Sequence, residues 1–274
     1  MCGKIVKLTE HGLKEIIKEE LGISFELSKI ALNVYNDIIS NIESVDGNNN
    51  GSCIIKRGNV NCTIRDINFD ITYTYRNFFD FNIANSIGQN QLTGGYSCFL
   101  NKNFILCNVD ILAISGNINK KMALYTIQHE LEHIYQEILS NKRIPGDDML
   151  YAKMRTDMES GDELRYYASR LVYCCFKSEQ EGFINGTYAW CMADDIKTEP
   201  YNYNTIKDSP VGLLYDEMKT LYDKATIDDE LQTILKNDYN LSLNDIYLMI
   251  RNLGKRIGRL LIKVNNDKSK IWRI

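Results

Sequence analysis

At Ser115-Gly116 the chain changes its hydrophobic period, and that change limits what it can fold into. Before it, β-branched and aromatic residues come in short runs: Cys53-Ile54-Ile55, Val60 to Ile64, Phe69 to Tyr75, Tyr96 to Leu100 and Phe104 to Ile114. The last two are separated by Asn101-Lys102-Asn103, which is hairpin spacing, and together the runs predict an antiparallel sheet of about five strands. After it, apolar residues recur at helical spacing to the end, with helices expected over roughly 118–140, 148–157, 161–191, 210–237 and 243–265. Asn117 or Asn119 would cap the first of them. Ahead of the strands, residues 10–45 read as two helices divided at Gly22, and 46–52 (Asp-Gly-Asn-Asn-Asn-Gly-Ser) as a loop. Only three prolines interrupt 274 residues, so long elements are expected. The order helices, sheet, helices predicts an α+β fold. It divides into an N-terminal helical segment 1–50, a core 51–195 and a C-terminal helical segment 196–274.

With 32 Lys and Arg against 36 Asp and Glu, the formal net charge is −4, which argues against bulk binding to nucleic-acid phosphates. A hydrophobic content of 44% excludes disorder along the whole chain. Met1 to Lys7 lacks the apolar stretch of a secretory signal, and no run approaches the ~20 apolar residues of a transmembrane span. The eight cysteines form no Cys-x-x-Cys pair and read as reduced thiols, Cys174-Cys175 among them as inert packing. A cytoplasmic location is the expectation.

Two of the three histidines fall in His129-Glu130-Leu131-Glu132-His133, a His-Glu-x-x-His pattern on an expected helix. Residues four apart stand one above the other with Cβ atoms ~5–6 Å apart, so both imidazoles can reach one divalent ion. On a wheel of ~100° per residue the histidines lie at 0° and ~40°, opposite an apolar stripe of Ala123, Leu124, Ile127, Leu131, Ile134, Tyr135 and Ile138. Burial is therefore accounted for without them, and their own face (Met122, Tyr125, Thr126, Gln136) is mixed, as in a cleft. A carboxylate beside the pair would act as general base toward a water that the metal acidifies. Glu130 is the base in the commoner orientation. Glu132 satisfies the inverted pattern His-x-x-Glu-His, and the wheel alone does not separate the two.

The third ligand is not supplied by the metzincin extension, since Gln136 and Leu139 stand where Gly and His would be needed. His11 lies in the N-terminal helix and reads as an exposed polar residue. A carboxylate on a later helix remains, from Glu159, Asp162, Glu163, Glu179 or Glu181.

Over residues 96–191 the chain resembles the gluzincin-type zinc metallopeptidases, in which a downstream Glu completes the site and an Asp or Asn four residues later orients a ligand histidine. Glu181 and Asn185 match that arrangement. The resemblance implies a zincin-like core: a small antiparallel sheet, the motif helix and a glutamate-bearing helix. It also implies Zn²⁺ held by His129, His133 and Glu181, with Glu130 as base, and a peptide or protein substrate. Gly182 and Ile184 depart from the small alanines common there, so Glu179 stays as the alternative. Its helical face (Cys175, Phe183, Gly186, Trp190) reads as core, and that of Glu181 (Cys174, Ser178, Asn185, Tyr188) as cleft. Tyr188 is a candidate oxyanion donor, with core packing as its plainer role. The strand 104–114 offers an edge for an extended substrate.

The basic stretch from Arg251 to Arg273 overlies Leu253, Ile257, Leu260, Leu261 and Val264, as expected of a helix packed on its own protein with solvated charges. The opening, Lys7 to Glu10 and Leu13 to Glu19, is similar to the start of many phage-encoded proteins of gut bacteria. That implies a virion-associated location and assembly into a phage particle or complex. The competing function is a non-catalytic zincin-like structural or binding component.

Overall fold

A computed structural model describes residues 27–37, 40, 53–64, 67–78, 93–101, 104–114, 120–140, 147–193 and 199–271. The helix expected after Thr9, His11, the loop 46–52 and the caps Asn117 and Asn119 lie outside them. Residues 27–37 form helix α1, with Leu27, Ile30, Ala31, Val34 and Tyr35 buried at helical spacing.

The runs Cys53-Ile54-Ile55 and Val60 to Ile64 join into one strand, β1 (Cys53–Ile64), which pairs antiparallel with β2 (Ile67–Phe78) from Cys53↔Phe78 to Ile64↔Ile67. Thr93–Asn101 (β3) and Phe104–Ile114 (β4) form the hairpin that their spacing predicts. The order is β1-β2-β4-β3, and β2 and β4 run parallel, so the sheet is mixed rather than antiparallel. Strand 104–114 is consequently internal, paired on both sides, and offers no free edge along β2 or β3. The edges are β1 and β3. A hairpin signal fixes only the pairing of adjacent runs, whereas the second neighbour of β4 is a long-range choice.

Eight helices follow among the described residues: α2 (Lys120–Ser140), α3 (Asp147–Glu159), α4 (Glu163–Cys175), α5 (Lys177–Met192), α6 (Tyr203–Ile206), α7 (Pro210–Ile227), α8 (Asp229–Tyr239) and α9 (Leu243–Ile271). Of these, α3 to α9 pack on one another around Leu171, Ile206, Val211, Met218, Leu231, Leu253 and Val264, and α2 packs on α5. A side chain such as Leu171, fully buried, contributes about 1.5–3 kcal/mol by leaving water. Where burial is described, the buried side chains lie on helices or in connections between helices. The expected α+β, zincin-like core built on a small antiparallel sheet is thereby overturned: the packed body is all-helical. Periodicity marks which residues a helix buries, not what it buries them against, and the C-terminal helices prove to be part of the core rather than additions to it.

Two expected helices are each divided. The span 161–191 breaks at Phe176, whose backbone is extended (φ −61°, ψ 125°), between α4 and α5. No Gly or Pro marks the place. One tertiary and one local contact hold it: Phe176 stacks on Tyr151, with centroids 4.8 Å apart, and Gln180 Nε2 donates back across the break to the Cys174 carbonyl at 2.9 Å. The span 210–237 breaks at Asp228, whose side chain accepts from Leu231 N and so caps α8. Cys174 and Cys175 are buried, and burial pushes the Cys174 thiol up to about 12. No helix among the described residues is long and apolar enough to cross a membrane.

Candidate metal centre

Helix α2 packs against α5 and also contacts β3 and β4. The apolar stripe Ala123, Leu124, Ile127, Leu131 and Tyr135 is buried, as its period predicts. The opposite face is buried too: Thr126, Gln128, His129, Glu130, Glu132 and His133 are all enclosed. Polar groups so placed need partners, and most of those on this face have them.

His129 and His133 bring their Nε2 atoms to 2.9 Å, with ring planes 85° apart. The carboxylate that faces them is Glu179, at 3.5 Å from His129 Nε2 and 3.6 Å from His133 Nε2. These three residues form the group that could hold a metal ion, with exposures of 8%, 8% and 7%. The two distances are to different oxygens, Oε2 and Oε1, and one donor atom from each of the three residues lies within 4.8 Å of the others, within reach of an ion bound at roughly 2.0–2.2 Å. Glu181, the ligand implied by the resemblance, faces elsewhere. It accepts from Arg256 at 2.8 Å and from Gln136 Nε2 at 2.9 Å. Both acids stand on α5, roughly 200° apart on its wheel, so Glu179 faces the two imidazoles and Glu181 does not. The face of Glu179 with Phe183 and Gly186 is the one laid on α2, while Cys175, before the break at Phe176, belongs to α4 and not to that face.

Each donor is held from behind. His129 Nδ1 lies 3.3 Å from the Tyr125 hydroxyl, and His133 Nδ1 lies 3.3 Å from Gln136 Oε1. Glu179 accepts from Tyr151 at Oε1 (2.9 Å) and from Tyr173 at Oε2 (2.7 Å). Ligand imidazoles and carboxylates in metal sites are oriented by such outer contacts. Tyr151 and Tyr173 carry no motif, and nothing in the sequence points to them. Gln136 is legible only as a neighbour on the histidine face. Phe183 sets its ring edge-on to His129 at 5.2 Å.

The electrostatics are those of an electron-rich corner. Burial alone would raise the Glu179 carboxyl, but hydrogen bonds from and the charges of His129 and His133 hold it well below the usual carboxylate range. Burial pulls the His133 imidazole down, and Glu179, Glu130 and Gln136 together outweigh it, leaving His133 above its ordinary value. Glu130 is raised by burial and by Glu179, against the two imidazoles. Glu132 is pushed to about 7 by burial and by Glu181, and it bonds Asn185. The two acids that the wheel leaves equivalent are thus separated. Glu130 feels all three donors, whereas Glu132 feels only His133 among them and is dominated by burial, Glu181 and Asn185. Asn185 thereby bonds a carboxylate where the resemblance implies a ligand histidine.

Tyr188 belongs to the core. It is 1% exposed, its hydroxyl donates to Asp267 at 2.8 Å, and Lys263 lies over its ring. Compared with known families, with curated proteins and with solved structures, the chain matches none.

Proposed function

We propose that this protein is a zinc-dependent hydrolase of peptide bonds, with His129, His133 and Glu179 as ligands and Glu130 as general base. One observation carries the reading: three buried donors converge on a single point, with the raised carboxyl of Glu130 beside them. Two imidazoles and one carboxylate are a donor set suited to zinc, and an ion held by His129, His133 and Glu179 would supply a water acidified toward a pKa of ~7.

The protein's own groups do the rest. Tyr125 and Gln136 hold the imidazoles with Nε2 inward, and Tyr151 and Tyr173 fix the Glu179 carboxylate. Glu130, its pKa raised toward the working range, takes the proton from water and hands it to the departing amine. An extended substrate can add to β3, the edge strand beside α2. The alternative, a non-catalytic component that merely keeps the metal, is separated by turnover.

The test is cleavage of a generic unfolded protein by the purified chain, with and without chelator. Glu130→Gln is expected to abolish hydrolysis while metal content is retained. Activity that survives in Glu130→Gln, or that persists in chelator, contradicts the assignment. Bound zinc with no turnover favours the non-catalytic reading.

A further inference from the structure

We infer that Glu181 is a positioning residue for this centre, acting on His133 through Gln136 while Arg256 on α9 holds it in place; the inference rests on the metal-site reading above. A carboxylate can only accept hydrogen bonds, so the group that Gln136 turns toward Glu181 must be its NH₂. Nε2 lies 2.9 Å from Glu181 Oε2 and 3.4 Å from the Ser178 carbonyl, two acceptors on the same side. The amide oxygen is left facing His133 Nδ1 at 3.3 Å, and it can only accept. That acceptor draws the proton of neutral His133 to Nδ1, against the pull of the Glu179 carboxylate 3.6 Å from Nε2, and so leaves the Nε2 lone pair for a metal.

Glu181 is itself fixed from α9. Arg256 donates to its Oε1 at 2.8 Å, and Lys177 approaches the same oxygen at 3.7 Å. A residue 75 positions away in the chain thus bears on the tautomer of a ligand. The departure of Glu181 from the ligand set leaves it one step further out, in the chain Arg256–Glu181–Gln136–His133.

The test has two readouts on the full chain. In metal-free protein at alkaline pH, long-range ¹H–¹⁵N correlation reports the His133 tautomer. Nδ1–H is expected in the wild type, with a mixture in E181A and in Q136M. Competition titration with zinc is expected to show a loss of roughly 10–100-fold for each variant. Because Glu181 acts through Gln136, E181A/Q136M should bind no more weakly than Q136M alone. The exchange Q136E/E181Q reverses the 136–181 bond and gives up the bond to the Ser178 carbonyl, but it still presents an acceptor to His133 Nδ1 and one to Arg256, so it should regain the Nδ1–H tautomer, which guards against a variant that folds poorly. An unchanged tautomer in E181A, or losses that add in the double variant, overturns the inference. A wild type that binds no zinc defeats the metal-site reading instead, and the tautomer measurement still decides the relay.

Discussion

Gly182 is pressed against the ring of His129: a Cβ added to it would stand 2.7 Å from Cε1 and 2.8 Å from Nδ1. One turn on, a Cβ at Gly186 would stand 2.6 Å from Tyr125 Cδ2. The two glycines let α5 lie on α2 closely enough for Glu179 to face both imidazoles. Gly182→Ala gains up to about 1 kcal/mol of helix propensity, against about 1–3 kcal/mol of overpacking. The imidazole must move, so zinc affinity should fall at least ~10-fold, as for the loss of an outer support. Gly186→Ala also meets the Tyr125 carbonyl at 2.9 Å, and backbone yields less readily than a ring. In thermal unfolding it should be the less stable of the two variants.

The tyrosines separate by role. Tyr151→Phe and Tyr173→Phe each strip a hydrogen bond from Glu179 and should weaken zinc binding, with modest effect on folding. Tyr188→Phe removes the bond to Asp267, a hydrogen bond to a charged group worth roughly 1.5–3 kcal/mol, and should lower stability without changing zinc affinity. Parallel zinc titrations and urea unfolding on the three variants would contradict this if Tyr188→Phe lost metal and the others did not.

Much of the site is legible in the sequence because it is local. A spacing of four from His129 to His133 places two rings on one face whatever surrounds the helix. The third ligand is not local. It depends on which face of α5 packs on α2, after a break at Phe176 that no Gly or Pro announces and that Tyr151 stacks on from elsewhere in the fold. By contrast, Asp228 is a capping residue followed by Asp229 and Glu230, a start signal plain enough to divide 210–237. The short strands are visible as runs, but the parallel partner of β4 is a long-range pairing with no local mark. The same holds for the body as a whole. Buried positions on α7, α8 and α9 follow the helical period, while their shared burial with α4 and α5 arises only from packing.

A third prediction concerns acid stability. Asp157 is 6% exposed and lies among Tyr239, Lys153 (3.1 Å) and Arg165 (3.6 Å), joining α3, α4 and α8. Burial would raise its carboxyl, but the Tyr239 and Lys153 hydrogen bonds and the charges of Lys153 and Arg165 outweigh that and bring it below the ordinary value. A depressed folded pKa gives stability that is fully present above the unfolded value of ~3.9 and is lost as pH falls through the folded one. Asp157→Asn should therefore be less stable than the wild type at pH 7, and the difference should shrink in acid. Urea unfolding across that range checks it; a difference that widens in acid contradicts it.

The central claim is that His129, His133 and Glu179 together hold one metal ion. Anomalous diffraction at the zinc edge from crystals of the reconstituted protein tests it most directly. The expected result is a single strong peak roughly 2.0–2.2 Å from both Nε2 atoms and a Glu179 oxygen. A peak bound by Glu181 in place of Glu179, or no peak between the two imidazoles at saturating zinc, would contradict it.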